Sequence, residues 1–146
     1  MMPSFEDTIA MVKHTRRRDD RDIEAIRVFL YQAPNVMFLK NYSPDIDGVY
    51  VFVSREFERM FDVKREFAVG KTDFDIFPQA MAERRRLDDV HTLDFGRMTT
   101  MVDTGGTRYN AFRPFKLALI PITVADEGKP SYLAGMMLPP LAAWTE

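Results

Sequence analysis

At Pro34 the spacing of apolar residues changes, and no other feature of this 146-residue chain constrains its fold more. Before Pro34, Ile9, Met11 and Val12, then Ile23, Ile26, Phe29 and Leu30, recur at spacings of three and four, the period of one helical face. After it come two short runs, Val36-Met37-Phe38-Leu39 and Val49-Tyr50-Val51-Phe52-Val53, dense in β-branched and aromatic residues. Asn41-Tyr42-Ser43-Pro44-Asp45 and Asp47-Gly48 lie between them and supply turn residues, so the two runs read as a hairpin. A residue preceding proline is biased out of the helical region, which ends the first segment around Tyr31 to Ala33.

The helical region before Pro34 reads as two helices. Ser4 with Asp7 three residues on forms a cap, and Asp22 opens a second helix after the polar run from Lys13 to Asp22, which mixes both charges and reads as a solvated break. Beyond the hairpin, Ser54 caps a helix reaching Asp62, and Thr72 or Asp73 opens a short turn over Phe74, Ile76 and Phe77. A long helix from Gln79 to Phe95 follows, carrying Met81, Leu87, Val90 and Leu93, with Gly96 as its stop. Everything after Gly96 reads as antiparallel sheet: Met98 to Thr104, a Gly105-Gly106 turn, Thr107 to Leu119, a polar loop, and Ser131 to Leu138. Two strands, short helices and three strands make an α+β order in which those helices are the only cover for the apolar sheet face.

Composition removes several functions. The chain has no cysteine, which excludes thiol nucleophiles, disulfides, zinc ribbons, iron–sulfur clusters and covalent flavin adducts. Twenty basic against twenty-two acidic residues give a net charge of -2, so there is no global drive towards nucleic acid or anionic membrane, and neither is expected as a direct partner. No run of about eighteen apolar residues occurs, and the first residues lack the order of a signal peptide, so a cytoplasmic location is expected.

The segments Ala33 to Asn41, Asp47 to Ser54 leading to Phe57, and above all Gly70-Lys71-Thr72-Asp73-Phe74-Asp75-Ile76-Phe77-Pro78 resemble the PAS sensory domain over roughly Phe29 to Leu138. Arg86, Asp88 and Asp89 before Gly96, then Asp103 and Gly105-Gly106, continue the likeness. The resemblance implies a five-stranded antiparallel sheet with short helices on one face, preceded here by N-terminal helices. It also implies a pocket that holds a small ligand or is filled by side chains. On this reading residues 1–28 form a helical extension, 29–139 the PAS domain, and 140–146 a tail or a linker to an output module.

Candidate pocket residues are Phe38, Tyr50, Phe52, Val90, His91, Asn110 and Phe112, aromatic at strand spacing with a few polar groups among them. No cofactor is named. His91 falls about a turn away from the position at which haem-binding PAS sensors carry their ligand histidine, and His14 lies in the polar run without a second ligand. Arg84 with Asp88 and Arg85 with Asp89 are neighbours on a helix and are expected to pair with each other on a solvated face. Asp73 and Asp75 flank a helix start, where carboxylates are favoured structurally. Gly105-Gly106 lacks the Lys-Ser/Thr of a phosphate loop.

The expected function is therefore non-catalytic: a sensory module that binds a small ligand or a protein partner and relays the event to an output such as a histidine kinase or a transcription regulator. The N-terminal helices are the expected homodimer surface. Two alternatives remain at this point. One is a small acid/base enzyme of the ketosteroid-isomerase cone type using His91 and Asp94, which requires His91 to face the cavity. The other is a purely structural dimerisation domain whose pocket is packed solid.

Overall fold

The structure, a computed structural model, describes residues 4–103, 115–125 and 127–139, with residues 8–19 as backbone. Ten elements run in the order α1 (Phe5–Gln32), β1 (Met37–Asn41), β2 (Val49–Val53), α2 (Arg55–Phe61), α3 (Arg65–Ala68), α4 (Asp73–Ile76), α5 (Gln79–Phe95), β3 (Thr99–Asp103), β4 (Phe115–Ile122) and β5 (Tyr132–Met137). The five strands form one antiparallel sheet in the order β2-β1-β5-β4-β3, with α2 to α5 inserted between β2 and β3.

The two expected N-terminal helices are one helix of 28 residues. Its start is the expected cap: the Asp7 amide donates to Ser4 Oγ at 3.1 Å, and the Ser4 hydroxyl and amide donate to Asp7 Oδ2 at 2.7 and 3.1 Å, the hydroxyl first and then the amide holding the Asp7 carboxyl below its ordinary pKa. The polar run does not interrupt the helix because polarity is no helix breaker. The run contains no glycine or proline, and arginine and lysine are good helix formers. Helix ends elsewhere follow the sequence closely. Ser54 Oγ accepts from the Phe57 amide at the start of α2, Asp62 closes it in the left-handed region, and Gly96 does the same for α5.

Strand register sets which side chains face the helices. β1 pairs Phe38 with Val53 and Leu39 with Phe52, then Lys40 with Tyr50, so Val51 is an extra residue in β2, a bulge. The bulge shifts the alternation by one: Tyr50 and Val53 both point inwards and are buried, while Val51 is exposed and Phe52 half-buried on the other side. The inner face is completed by Phe38 and Lys40 of β1, Leu133 of β5, Leu117 and Leu119 of β4 and Met101 of β3, with Phe57 and Ala68 from the helices against it.

Gly135 of β5 lies opposite Phe38, and the Phe38 ring occupies the space over it; a Cβ there would stand 2.1 Å from Phe38 Cζ. The missing side chain is therefore filled by the ring from the neighbouring strand. Gly135→Ala is expected to push Phe38 off its place and lower stability by about 1–3 kcal/mol, the usual cost of overpacking. Gly128→Ala, where nothing lies within 4 Å, is the control and should leave the urea midpoint nearly unchanged.

Candidate functional site

The inner face carries a charge. Phe38 and Lys40 share a face by the two-residue period of a strand, and Lys40 is 1% exposed. Its Nζ donates to Asp73 Oδ2 at 2.5 Å and to Asp89 Oδ2 at 2.7 Å. Tyr50 Oη donates to Asp73 Oδ1 at 2.5 Å, and Tyr42 Oη to Asp89 Oδ2 at 2.6 Å. Asp73 is the first residue of α4, whose start is held by Thr72 donating through N and Oγ1 to Asp75 Oδ2 at 3.0 and 3.1 Å; Asp89 stands in the third turn of α5. One ammonium thus ties the sheet to two helices. Burial alone would push its pKa down, but the Asp89 and Asp73 carboxylates overcome this and hold it above the ordinary lysine range. Burial, followed by the Lys40 attraction opposing it, leaves Asp89 above the usual carboxylate range. Burial and the neighbouring carboxylates also raise the phenols of Tyr42 and Tyr50.

The inward face of α5 is polar. Ala82, Asp89 and Thr92 are buried and Arg85 nearly so, whereas Leu87 is 67% exposed, so the expected apolar side does not define the packing. The arginines reach beyond their own helix. Arg84 Nη2 and Arg85 Nη2 lie 3.1 and 3.2 Å from the two oxygens of Asp103 at the end of β3, and Arg86 Nε donates to Asp47 Oδ2 at 2.9 Å in the β1–β2 loop. The expected Arg85–Asp89 pairing is replaced, because Asp89 is committed to Lys40. The Arg85 guanidinium carbon also lies over the Phe77 and Phe61 rings, 4.1 and 5.1 Å from their centroids.

Between α5 and the sheet these groups wall a cavity lined by Phe38, Lys40, Tyr50, Phe61, Arg85, Asp89, Met101 and Asp103, among others. Its volume is about 20 Å³, room for about one water molecule. Of the candidate pocket residues, Phe38 and Tyr50 line it. Phe52 does not: the bulge turns it to the other face, where it lines an apolar groove of about 370 Å³ with Ile23, Ile26 and Leu30 of α1. Val90 is half-buried on α5 away from the cavity lining. His91 is exposed and stacks on Phe95, with ring centroids 6.2 Å apart, so the cavity-facing His91–Asp94 pair of the enzymatic alternative is not formed. Asn110 and Phe112 lie outside the described residues, as does the Gly105-Gly106 turn. The residues that sequence reasoning missed are Lys40, Asp89 and Arg85; the signal was a lysine in phase with Phe38. Among the described residues no cluster of potential metal ligands occurs, and no helix is long and apolar enough to cross a membrane.

No protein-family model matches the sequence, and no curated protein matches it. Solved structures do. Vibrio cholerae VqmA, described as a dimer, is 18% identical with a TM-score of 0.68, over 82% of this chain and 53% of that one. The PAS domain of Bordetella pertussis BvgS is 14% identical with a TM-score of 0.66, over 86% of this chain and 92% of that one. A sensory box sensor histidine kinase from Vibrio cholerae is 16% identical with a TM-score of 0.58, over 85% and 95%. The chain has the PAS fold, the five-stranded antiparallel sheet with helices over one face. It spans about half the length of the VqmA chains it matches; VqmA itself has been seen bound to DPO and in a complex with ligand and DNA.

Two outcomes follow from the buried network. Lys40→Met leaves Asp73 and Asp89 facing each other without a cation and is expected to cost about 3–5 kcal/mol, read from urea denaturation. Lys40, Tyr42 and Tyr50 all keep their protons in the folded chain beyond the pH at which they lose them unfolded. Each therefore contributes stability that is complete below pH about 10 and is lost as pH rises through its folded pKa. With up to three protons linked, stability should fall above pH about 10 by as much as about 4 kcal/mol per unit. A urea midpoint that stays flat to pH about 11 would contradict this.

Proposed function

We propose that the chain is a sensory module that takes a small ligand between α5 and the sheet and relays the event to an output such as a histidine kinase or transcription regulator. The observation that supports it is the placement of the cavity: its walls are the Lys40–Asp89 and Arg85–Asp103 ion pairs that hold α5 to β1 and β3. A ligand entering there acts on those pairs, and any preference it has for one arrangement of α5 shifts the balance between two packings. VqmA bound to DPO gives a ligand-binding example on the same fold, and the sensor histidine kinase an example of an output. The division into an extension at 1–28, a sensory domain at 29–139 and a tail or linker at 140–146 belongs to this reading. So does a homodimer through α1, whose Ile23, Ile26 and Phe29 are more than half exposed. The expectation of no direct nucleic-acid contact rests on net charge alone and is set against the DNA complex of VqmA.

The small size of the cavity favours a second reading, a dimerisation domain packed solid by its own side chains. Native mass spectrometry with an absorption spectrum, on protein purified without added ligand, separates the two. The sensory reading expects a stoichiometric extra mass or a chromophore on a dimer. A bare dimer absorbing only through Trp and Tyr favours the packed domain. For the dimer itself, Ile23→Glu with Ile26→Glu should yield monomer without loss of the fold by circular dichroism; an unchanged dimer would remove α1 as the interface.

A further inference from the structure

Among the described residues that line the cavity, Arg85 is the one with buried side-chain nitrogens that make no hydrogen bond. Its side chain is 11% exposed, and its Nε and Nη2 are buried without a hydrogen bond. Asp103 accepts the hydrogen bond of Arg84 on Oδ1 at 3.1 Å, and its Oδ2 lies 3.2 Å from Nη2 of Arg85, an ion pair without hydrogen-bond geometry. Nε and Nη2 form the side edge of the guanidinium, the edge that offers two parallel N–H groups and matches a carboxylate in fork geometry. Leaving Nε dry, and Nη2 with an ion-pair contact but no hydrogen bond, is costly, so the edge has room for a better placed acceptor.

The surroundings say what should be attached to that acceptor. The guanidinium carbon lies over the Phe77 and Phe61 rings, 4.1 and 5.1 Å from their centroids, which holds the group against apolar surface. Apart from Tyr50 and the charged groups Lys40, Asp89 and Asp103, which are already paired with one another or with the arginines, the remaining cavity wall is apolar and includes Phe38, Met101, Phe115 and Leu117. Phe61, Phe77 and Met101 are only half-buried, and a methionine repacks at little cost, so the space of about 20 Å³ can widen towards them. We infer that the cavity takes a small monocarboxylate with an apolar body, its carboxylate held by the Nε and Nη2 edge of Arg85 and its body among Phe38, Met101 and Phe115. This rests on the sensory reading above and names the ligand chemistry of that same cavity.

Benzoate is a suitable probe, with benzyl alcohol as the uncharged arm, both titrated calorimetrically into the full chain at neutral pH. Benzoate should bind at one per chain and benzyl alcohol much more weakly. Arg85→Met, which keeps the length but loses the fork, should weaken benzoate by at least about tenfold, as expected for a doubly hydrogen-bonded charged contact. Arg84→Gln, the neighbouring arginine on Asp103, should leave benzoate binding close to wild type. Where Arg85→Met fails to fold by circular dichroism, Arg85→Lys decides by the same tenfold criterion, because it keeps the charge and lacks the planar edge. Benzoate binding that ignores both Arg85 variants overturns the assignment, as does an absence of benzoate binding, which would leave the edge to a trapped water. Benzyl alcohol bound as tightly as benzoate also overturns it, yet leaves the sensory reading standing. That reading falls separately, on the mass spectrum of the purified chain.

Discussion

The structure turns on one ammonium group. Lys40 occupies a core position on β1, an interior strand of the sheet, and a bare charge there is excluded by its desolvation cost, so two carboxylates have to come to it. Asp73 and Asp89 arrive from different helices, which means that α4 and α5 are placed over the sheet by charge as much as by apolar contact. The two tyrosines complete the lone pairs of the carboxylates and give the cluster its geometry. Such a network stabilises less than an apolar core of equal volume would, but it is directional, and it specifies one position of each helix.

The same cluster explains why α5 looks wrong as an amphipathic helix. Its buried stripe is Ala82, Arg85, Asp89 and Thr92, and its leucine at 87 faces out. Thr92 is held by its own backbone neighbour Asp88 at 2.9 Å and by Thr99 of β3, so even the far end of the stripe is anchored by hydrogen bonds. A helix docked through ion pairs can be moved by small changes in what those pairs see. That is the physical basis of the response proposed for this cavity.

Much of the fold was legible from local signals. Ser54, Thr72 and Gly96 mark helix ends through their capping chemistry, and the order of strands and helices follows from the change of period at Pro34. Two features were not legible. Continuity of α1 through the charged run depends on backbone propensity rather than on apolar spacing, and the spacing pointed to a break. The bulge at Val51 is set by pairing with β1, a non-local event, and it alone moved Phe52 from the cavity to the α1 groove. The candidate site was half readable. Phe38 and Tyr50 follow from strand alternation, but Arg85 and Asp89 read as a self-paired solvent face, because helical spacing says which residues are neighbours and not what lies across from them. Lys40 in phase with Phe38 was the available clue, since a lysine on a buried face demands carboxylates from elsewhere.

Hydrogen exchange compared between the native chain and Lys40→Met tests most directly whether one buried charge holds the helices on the sheet. The account predicts that the amides of α4 and α5 lose protection strongly while those of β4 and β5, paired along six positions, keep most of theirs. Equal loss across helices and sheet, or protection of α5 that survives without Lys40, would contradict it.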